Sequence, residues 1–219
     1  MRASSDVVVI LQSEFVGNTA ASVEIGQGST VGGGIYFYGT NNVSYLINSS
    51  VIGNFSTTNI FRGTGVALSD AADGSSVHIE NSIIARNSER DNDQLTLREQ
   101  LYPRSSRLSV AWSCMEADGG SPVGTTNRVV CRGGTAACGD FVGSVDATRT
   151  FPIGEGNVRL TSQSPCIDIG NNFVDVEPQK PQLQLLPPTD LDGEDRIVDG
   201  DGDRTATVDA GAYEYVEQF

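Results

Sequence analysis

The amino-acid sequence predicts an all-β solenoid, a fold made of stacked coils of short strands. The first 90 residues repeat at spacings of 36 and 33 residues, in the segments LQSEFVGNTA (11–20), INSSVIGNFS (47–56) and ENSIIARNSE (80–89). Within each segment the apolar residues alternate with polar ones or run for only 3–5 positions. That is the period of strands and not of helices. A fixed period of this length indicates stacked repeats.

Each coil is expected to contain two or three short strands. The glycine-led segments GGGIYFYG (32–39) and GTGVALSD (63–70) lie between the repeats and supply further strands. A single coil cannot bury its inward face, so stacked coils bury Ile, Val, Leu and Phe and pair their backbones in parallel. The repeated Asn18, Asn54 and Asn87 suit tight corners, either as ordinary turn residues or as a ladder of mutually bonded amides.

Two tyrosines of the glycine-led segment are candidate ligand-binding residues. If Ile35 and Phe37 face inward, strand alternation turns Tyr36 and Tyr38 outward. Neighbouring aromatic rings on a β-face can stack on sugar rings, which makes a polysaccharide or cell-surface glycan the expected partner. The alternative is that both rings only pack against the next coil.

The later part of the chain departs from the repeats. Residues 89–107 are charged and predict a protruding loop or short helix, and strand-like segments return from residue 108. We therefore assign residues 1–170 to the coils. Residues 171–219 begin with a proline-rich stretch and end in an acidic one, which predicts an extended crossover and a loop-rich cap. We expect this cap to cover the end of the solenoid, because open strand edges invite pairing.

The four cysteines predict one or two disulfides and an oxidising compartment. They are Cys114, Cys131, Cys138 and Cys166. No pair forms a C-x-x-C motif and the chain has one histidine, so a zinc site is not expected. Cys131 and Cys138 enclose a glycine-rich loop that a disulfide would close, but three pairings are open, and free thiols are the alternative.

The formal net charge of −14, from 28 acidic and 14 basic residues, excludes some partners. A sequence-independent nucleic-acid binder needs a basic face, so nucleic acid is not an expected partner. No apolar run is long enough to span a bilayer, so membrane insertion is not expected either. The charge permits cations and neutral glycans.

The acidic C-terminal residues predict a structural calcium site. Alternate carboxylates on a glycine-rich loop can converge on one cation, and calcium takes about six to eight oxygen ligands. The candidate ligands are Asp190, Asp192, Asp199, Asp201, Asp203 and Asp209. The alternative is that these aspartates cap turns and pair with Arg196 and Arg204.

The C-terminal tracts resemble a known family. The tracts LTSQSPCIDIGNN (160–172) and TDLDGEDRIVDGDGDRTATVDAGAYEY (189–215) are similar to the S-P-x-I-D-x-G, D-L-D-G-x-x-R and V-D-x-G-A-Y-E motifs that end many bacterial right-handed parallel β-helix proteins. The units NSSVIGN and GGGIYF resemble the coil repeats of that family. The resemblance implies a right-handed parallel β-helix of the pectin-lyase-like type and a secreted or cell-surface location. The sequence starts within a repeat and lacks a signal peptide, so we expect it to be the C-terminal portion of a longer protein.

The expected function is non-catalytic. Hydrolases of the pectin-lyase-like fold carry Asp-Asp and Gly-His-Gly motifs, which this sequence lacks, and His78 is expected to be an exposed strand residue. We therefore expect an extracellular structural or adhesive module that contacts glycans, and we assign no catalytic residue. The alternatives are a fragment of a polysaccharide lyase or glycoside hydrolase with its active site upstream, and a trimeric phage tail-fibre β-helix. The oligomeric state is left open.

Overall fold

The computed structural model describes residues 7–20, 33–56, 64–69, 74–91, 94–97, 100–102, 107–117, 129–132, 157–174 and 186–216. These residues contain strands, turns and bends and no helix, so the described chain is all-β. None of its segments is a helix long and apolar enough to cross a membrane.

The strands follow one another in four groups, which we call coils 1 to 4. Coil 1 holds β1 (Val7–Leu11), β2 (Glu14–Val16), β3 (Thr19–Ala20) and β4 (Ile35–Phe37). Coil 2 holds β5 (Val43–Ile47), β6 (Ser50–Ile52), β7 (Phe55–Ser56) and β8 (Val66–Leu68). Coil 3 holds β9 (Ser76–Glu80), β10 (Ile83–Ala85), β11 (Ser88–Asp91), β12 (Gln94–Leu97) and β13 (Leu101–Tyr102). Coil 4 holds β14 (Leu108–Ala111) and β15 (Cys114–Ala117), and β16 (Val129–Arg132) follows.

Coils 1 to 3 each contribute to all four sheets in the same order, and the described part of coil 4 contributes to sheets 1 and 2. Sheet 1 is β1-β5-β9-β14, sheet 2 is β2-β6-β10-β15-β16, sheet 3 is β3-β7-β11-β12 and sheet 4 is β4-β8-β13. All these pairings are parallel except that between β11 and β12. Equivalent residues of neighbouring coils are 36, 33 or 31 positions apart, which matches the spacing of the sequence repeats.

An apolar core lies inside the coils. Strand alternation turns one set of residues inward from the sheets, and coils 2 and 3 bury this set almost completely, because each has a neighbouring coil on both sides. The inner core consists of Ile35, Phe37, Leu46, Val51, Val66, Leu68, Val77, Ile79, Ile84, Leu101, Leu108, Val110 and Met115. The inward Ile10 and Phe15 of coil 1 are only partly buried.

The repeated asparagines form a ladder along the stack. The side-chain Nδ2 of Asn18 donates to Oδ1 of Asn54 at 2.9 Å, and that of Asn54 donates to Oδ1 of Asn87 at 2.8 Å. Asn87 donates in turn to Oε1 of Gln100 at 2.7 Å. The same oxygens accept the backbone N–H groups of these asparagines. The buried amide of Asn54 is therefore satisfied by the next coil, and that of Asn87 by Gln100, which ends the ladder.

A serine ladder stabilises the corner between sheets 1 and 2. The hydroxyls of Ser49, Ser82 and Ser113 accept the backbone N–H of Ser13, Ser49 and Ser82 respectively, at 3.0–3.2 Å. The residue before each serine has a left-handed backbone, with φ between 46° and 51°. These four corner residues are Gln12, Asn48, Asn81 and Trp112. The corner is thus the same in four coils although its residue types differ.

The charged interruption of the repeats is a β-hairpin and not a helix in its described part. Strand β11 pairs with β12 in antiparallel fashion, with Ser88 opposite Leu97 and Asp91 opposite Gln94. The first strand still pairs in parallel with β7, so the hairpin grows out of sheet 3. It returns the chain to Gln100, which is the residue that ends the asparagine ladder.

The described C-terminal residues 157–174 and 186–216, which we call the strap, cover the outer face of sheet 2. This outer core contains Ile52, Ile83, Ala85, Cys114, Val158, Leu160, Cys166, Ile167, Ala210, Ala212 and Tyr213. Sheet 2 therefore buries both of its faces. The described strap lies along the side of the stack, because the outward residues of sheet 2 are themselves apolar. The predicted covering of the end of the solenoid stays a prediction.

Three consecutive strap residues cross three coils. The N–H of Gly211 donates to the carbonyl of Asn81 in coil 3, and that of Ala212 donates to the hydroxyl of Ser50 in coil 2. Tyr213 hydrogen-bonds Glu14 in coil 1. Gly211 has a φ of 111°, which residues with a Cβ rarely adopt, and a Cβ there would also lie 2.8 Å from the side chain of Ile83, so the position favours glycine.

Candidate functional site

The acidic loop of the strap brings three carboxylates together. Asp168, Asp199 and Asp201 each place a carboxylate oxygen within 4.8 Å of the others, so they are able to hold a metal ion. Oδ2 of Asp168 accepts the N–H groups of Gly200 and Asp201 at 2.9 and 2.8 Å. These two bonds fix the loop against the Asp168 carboxylate.

Asp168 is the distinctive member of this cluster. Its backbone is left-handed, with φ of 55°, and its Oδ1 atom is buried without a hydrogen-bond partner. Burial raises the pKa of its carboxyl, as do the negative charges of Asp201 and Asp199, although N–H groups from the loop oppose the rise. Three carboxylates that meet in this way could hold a cation.

The remaining predicted ligands lie elsewhere in the strap. Asp203 caps a turn, since its Oδ1 accepts the N–H of Thr205 at 2.7 Å. Asp190 accepts the N–H groups of Asp192, Glu194 and Glu214, which is a turn-capping role. Turn capping also describes Asp199 and Asp201, because their carboxylates accept N–H groups from the same loop. Of the six predicted ligands, only Asp199 and Asp201 belong to the cluster.

Asp192 and Arg159 form an ion pair on the surface of the strap. Both side chains are more than one-third exposed. The bonds from Arg159 lower the pKa of the Asp192 carboxyl. The Arg159 guanidinium also lies 4.2 Å from the centre of the Tyr213 ring, so it packs between the carboxylate and the aromatic face.

Asp209 belongs to a buried network around Arg196. Nη1 of Arg196 donates to Oε1 of Glu214 at 2.6 Å, and both side chains are only 1% exposed. The Asp209 carboxylate accepts the N–H groups of Asp168 and Tyr215, which connects this network to the acidic loop. Burial raises the pKa of Asp209 to about 8, and the charge of Glu214 adds to the rise. Burial likewise raises the pKa of Glu214 to about 7, against the opposing effect of Arg196.

Tyr36 and Tyr38 point outward from sheet 4. They are 42% and 74% exposed, whereas Ile35 and Phe37 between and beside them are 8% exposed. The two ring centres lie 6.3 Å apart and the ring planes are tilted by 43°. The pair therefore offers two separate aromatic faces and not one flat platform.

The structure joins Cys114 of β15 to Cys166 of the strap in a disulfide. Both cysteines are buried in the outer core. Cys131 has its backbone in β16, but its side chain lies outside the described residues, as does the whole of Cys138. The suggested closure of the glycine-rich loop by these two cysteines therefore stays a prediction.

His78 lies in a polar cluster that sequence reasoning missed. Its ring nitrogens are 2.9 Å from the hydroxyl of Ser109 and 3.2 Å from that of Ser76. The ring stacks on Tyr45, with centres 5.2 Å apart. The only sequence signal was the lone histidine, since its serine partner on β14 is 31 positions away along the chain.

The sequence also gave no indication that Asp168 belongs to the carboxylate cluster, for a similar reason. The glycine-alternating pattern pointed only to neighbouring carboxylates, and Asp168 lies about thirty residues before them. No family model, no curated protein and no solved structure matches this chain. The resemblance of the C-terminal tracts to bacterial β-helix proteins therefore stays a hypothesis, and the function rests on the residues of this chain.

Proposed function

We propose that this chain is an extracellular or cell-surface module that folds as a right-handed parallel β-helix, acts as a structural or adhesive element and contacts glycans through Tyr36 and Tyr38. The β-helix is supported by the fixed order in which the chain visits four parallel sheets. The right hand and the surface location are drawn from the resemblance of the C-terminal tracts. The buried Cys114–Cys166 disulfide supports an oxidising compartment.

The exposed tyrosine pair is the observation that carries glycan contact. A tyrosine ring combines an apolar face with a hydroxyl, so it packs on the C–H face of a sugar and bonds to its hydroxyls. Tyr36 lies in β4 and Tyr38 directly follows it, and their neighbours Ile35 and Phe37 are packed in the inner core. The backbone that carries the two rings is therefore held without a ligand. The net charge of −14 favours neutral glycans over acidic ones.

Affinity electrophoresis through gels that contain xylan, galactomannan or a soluble β-glucan tests this function. We expect at least one of these neutral polymers to retard the chain. The double variant Tyr36→Ala, Tyr38→Ala should lose about thirtyfold in affinity, since two stacked rings at about 1 kcal/mol each contribute about 2 kcal/mol. The matched control is Phe173→Ala, which removes a ring that is 79% exposed on the strap. Equal retardation of the double variant and the wild type contradicts the proposal, as does the absence of retardation in all three gels.

The second part of the proposal is a structural calcium ion held by Asp168, Asp199 and Asp201. All the donors are oxygens, as calcium prefers, and one of them is the buried, unpartnered Oδ1 of Asp168. Backbone carbonyls and water would complete the coordination. Such an ion would join the part of the strap near the disulfide to the acidic loop, and its role is therefore stability.

Calcium titration by isothermal calorimetry, with thermal melting in calcium and in chelator, tests the ion. We expect calcium to raise the melting temperature by several degrees and magnesium to do so less, because magnesium sheds its waters reluctantly. Asp168→Asn and Asp201→Asn should each remove most of the effect, and Glu194→Gln, an exposed carboxylate outside the cluster, should retain it. Identical melting curves of the wild type in calcium and in chelator contradict the proposal.

A further inference from the structure

The outer face of sheet 1 changes character along the stack. Alternation places Val9, Tyr45, His78 and Ser109 in one row across the four strands, since each lies opposite the next in register. In coils 1 and 2 this face is apolar. In coils 3 and 4 this face is polar and half-buried. It carries Ser76, His78, Glu80, Arg107 and Ser109. Functional groups are therefore concentrated at one end of an otherwise apolar face.

His78 lies between two serine hydroxyls. Nδ1 is 2.9 Å from Oγ of Ser109, and Nε2 is 3.2 Å from Oγ of Ser76. A neutral imidazole has one N–H donor and one acceptor nitrogen. Whichever tautomer is present, one serine donates its proton to the ring and the other accepts a proton from it. The ring is also held by stacking on Tyr45, with an interplanar angle of 23°.

The surroundings keep His78 neutral. Partial burial lowers the pKa of the imidazole, so the ring is a base at neutral pH. The titratable or charged groups that face this row are Tyr45 from β5, Glu80 from β9 and Arg107, which precedes β14. A neutral histidine bonded to a serine hydroxyl is the arrangement that nucleophilic catalysis by serine requires.

We propose that Ser109 and His78 form a nucleophilic site that cleaves carboxylic esters, with Ser76 as the residue that positions the imidazole. Ser109 is assigned as the nucleophile because its hydroxyl is the closer of the two to the ring. Ser76 then accepts the N–H of Nε2, which fixes the tautomer in which Nδ1 is the base. This assignment is independent of glycan contact by Tyr36 and Tyr38, which lie on sheet 4.

The reaction balances with water as the only co-reactant. Oγ of Ser109 forms a bond to the ester carbonyl carbon while its proton passes to Nδ1 of His78. The C–O bond to the alcohol then breaks, and the leaving oxygen takes the proton from His78. Water attacks the acyl-serine, gives its proton to His78 and releases the carboxylic acid, and Ser109 recovers its proton. The strand amides are used in sheet pairing, as in the bond from Val77 N to Arg107 O, so we expect a slow reaction in which general-base catalysis supplies about 10²–10⁴-fold.

Labelling of the intact chain with a fluorophosphonate, followed by peptide mass spectrometry, tests the site directly. We expect one adduct on Ser109, formed at least tenfold faster than any adduct on Ser162, an exposed serine away from His78. Ser109→Ala and His78→Gln should abolish the adduct, and Ser162→Ala should retain it. An adduct on Ser76, a labelling rate in His78→Gln equal to that of the wild type, or no adduct in the wild type overturns the assignment.

Hydrolysis of p-nitrophenyl acetate separates chemistry from folding. The wild-type rate should rise with pH through a midpoint below 6.5, since the neutral ring is the active form. Ser76→Ala should reduce the rate several-fold and shift that midpoint, and Ser76→Thr should restore both, which a purely structural role of Ser76 would not produce. Thermal melting of each variant reports whether it is folded. A folded Ser109→Ala variant with the wild-type rate overturns the proposal, because the acetate would then be cleaved by the imidazole alone.

Discussion

The inner core of the coils and the outer core beneath the strap bury similar kinds of apolar residue but solve the problem of buried polar groups differently. Inside the coils, a polar side chain bonds to the equivalent residue one coil away, as Asn54 does with Asn87. Beneath the strap, buried polar groups bond to partners of a different kind from themselves, as Arg196 does with Glu214. Repetition therefore stabilises one region, and a set of single contacts stabilises the other.

This difference predicts how the two regions respond to mutation. When one residue of a ladder is substituted, the lost hydrogen bonds are those to neighbours of the same kind. A residue at the end of the ladder has fewer such bonds than one in the middle, so its substitution should cost less stability. A network of unlike partners leaves a charge uncompensated when one member is removed. The largest effects of single substitutions are therefore expected in the strap.

Arg196→Met is expected to have the largest effect. It leaves Glu214 buried without its cation, which costs about 3–5 kcal/mol of the free energy of unfolding. Denaturant unfolding followed by circular dichroism measures this loss. Arg159→Met is the matched control, because its partner Asp192 is exposed, and we expect a loss of about 1 kcal/mol or less. Equal losses in the two variants would remove the distinction between a buried network and a surface pair.

Removal of the disulfide is expected to have the second-largest effect on the free energy of unfolding. The double variant Cys114→Ala, Cys166→Ala frees a loop with a sequence separation of 52 residues, which the chain-entropy model values at about 4 kcal/mol. Limited proteolysis should then cut the strap before the coils, since the strap has lost its covalent attachment to coil 4. Simultaneous cleavage of strap and coils would mean that the two cores unfold as one unit.

Asn54→Ala is expected to cost about 3 kcal/mol, because it leaves the amides of Asn18 and Asn87 and the carbonyl of Phe15 without their partner. Asn18→Ala, at the free end of the ladder, should cost about 1 kcal/mol. Thermal melting of both variants compares their losses of stability. Equal losses of stability in the two variants would show that a residue in the middle of the ladder contributes no more than one at its end.

The last prediction concerns the dependence of stability on pH. The folded pKa values of Asp209 and Glu214 lie above their ordinary values, so the folded chain binds more protons than the unfolded chain between about pH 4 and pH 8. The contribution of these carboxyls to stability is therefore full below about pH 4 and is lost as the pH rises to about 8. We expect the free energy of unfolding to decline steadily as the pH rises over this range.

Urea unfolding in chelator at several pH values measures this decline. Glu214→Gln removes one of the two titrating groups and should flatten the curve. A wild-type stability that rises between pH 5 and pH 8 would contradict the raised pKa values.

The inner core was largely predictable from the sequence because its contacts recur at the period of the repeat. The spacing of Asn18, Asn54 and Asn87 already contained the ladder, and alternation around Tyr36 and Tyr38 already gave their outward direction. Gln100 was not predictable in the same way, since a hairpin brings it to the place of the next asparagine and its residue type breaks the pattern.

The strap was less predictable because its contacts join distant, non-repeating positions. Nothing in local spacing relates Ser50 to Ala212, which lie 162 positions apart, or Asp168 to Asp209. The acidic composition of the tail indicated a cation but not which carboxylates would meet. Its aspartates divide between turn capping, buried pairing and the cluster according to backbone geometry that only the folded chain specifies.

The course of Gly211, Ala212 and Tyr213 across coils 3, 2 and 1 has a mechanical consequence. The strap runs parallel to the axis of the stack and is tied to coil 4 by a covalent bond. A force that pulls the coils apart along this axis must therefore stretch the strap at the same time as it separates the rungs. The stack of coils together with the strap should therefore resist tension along its axis better than the coils would without the strap.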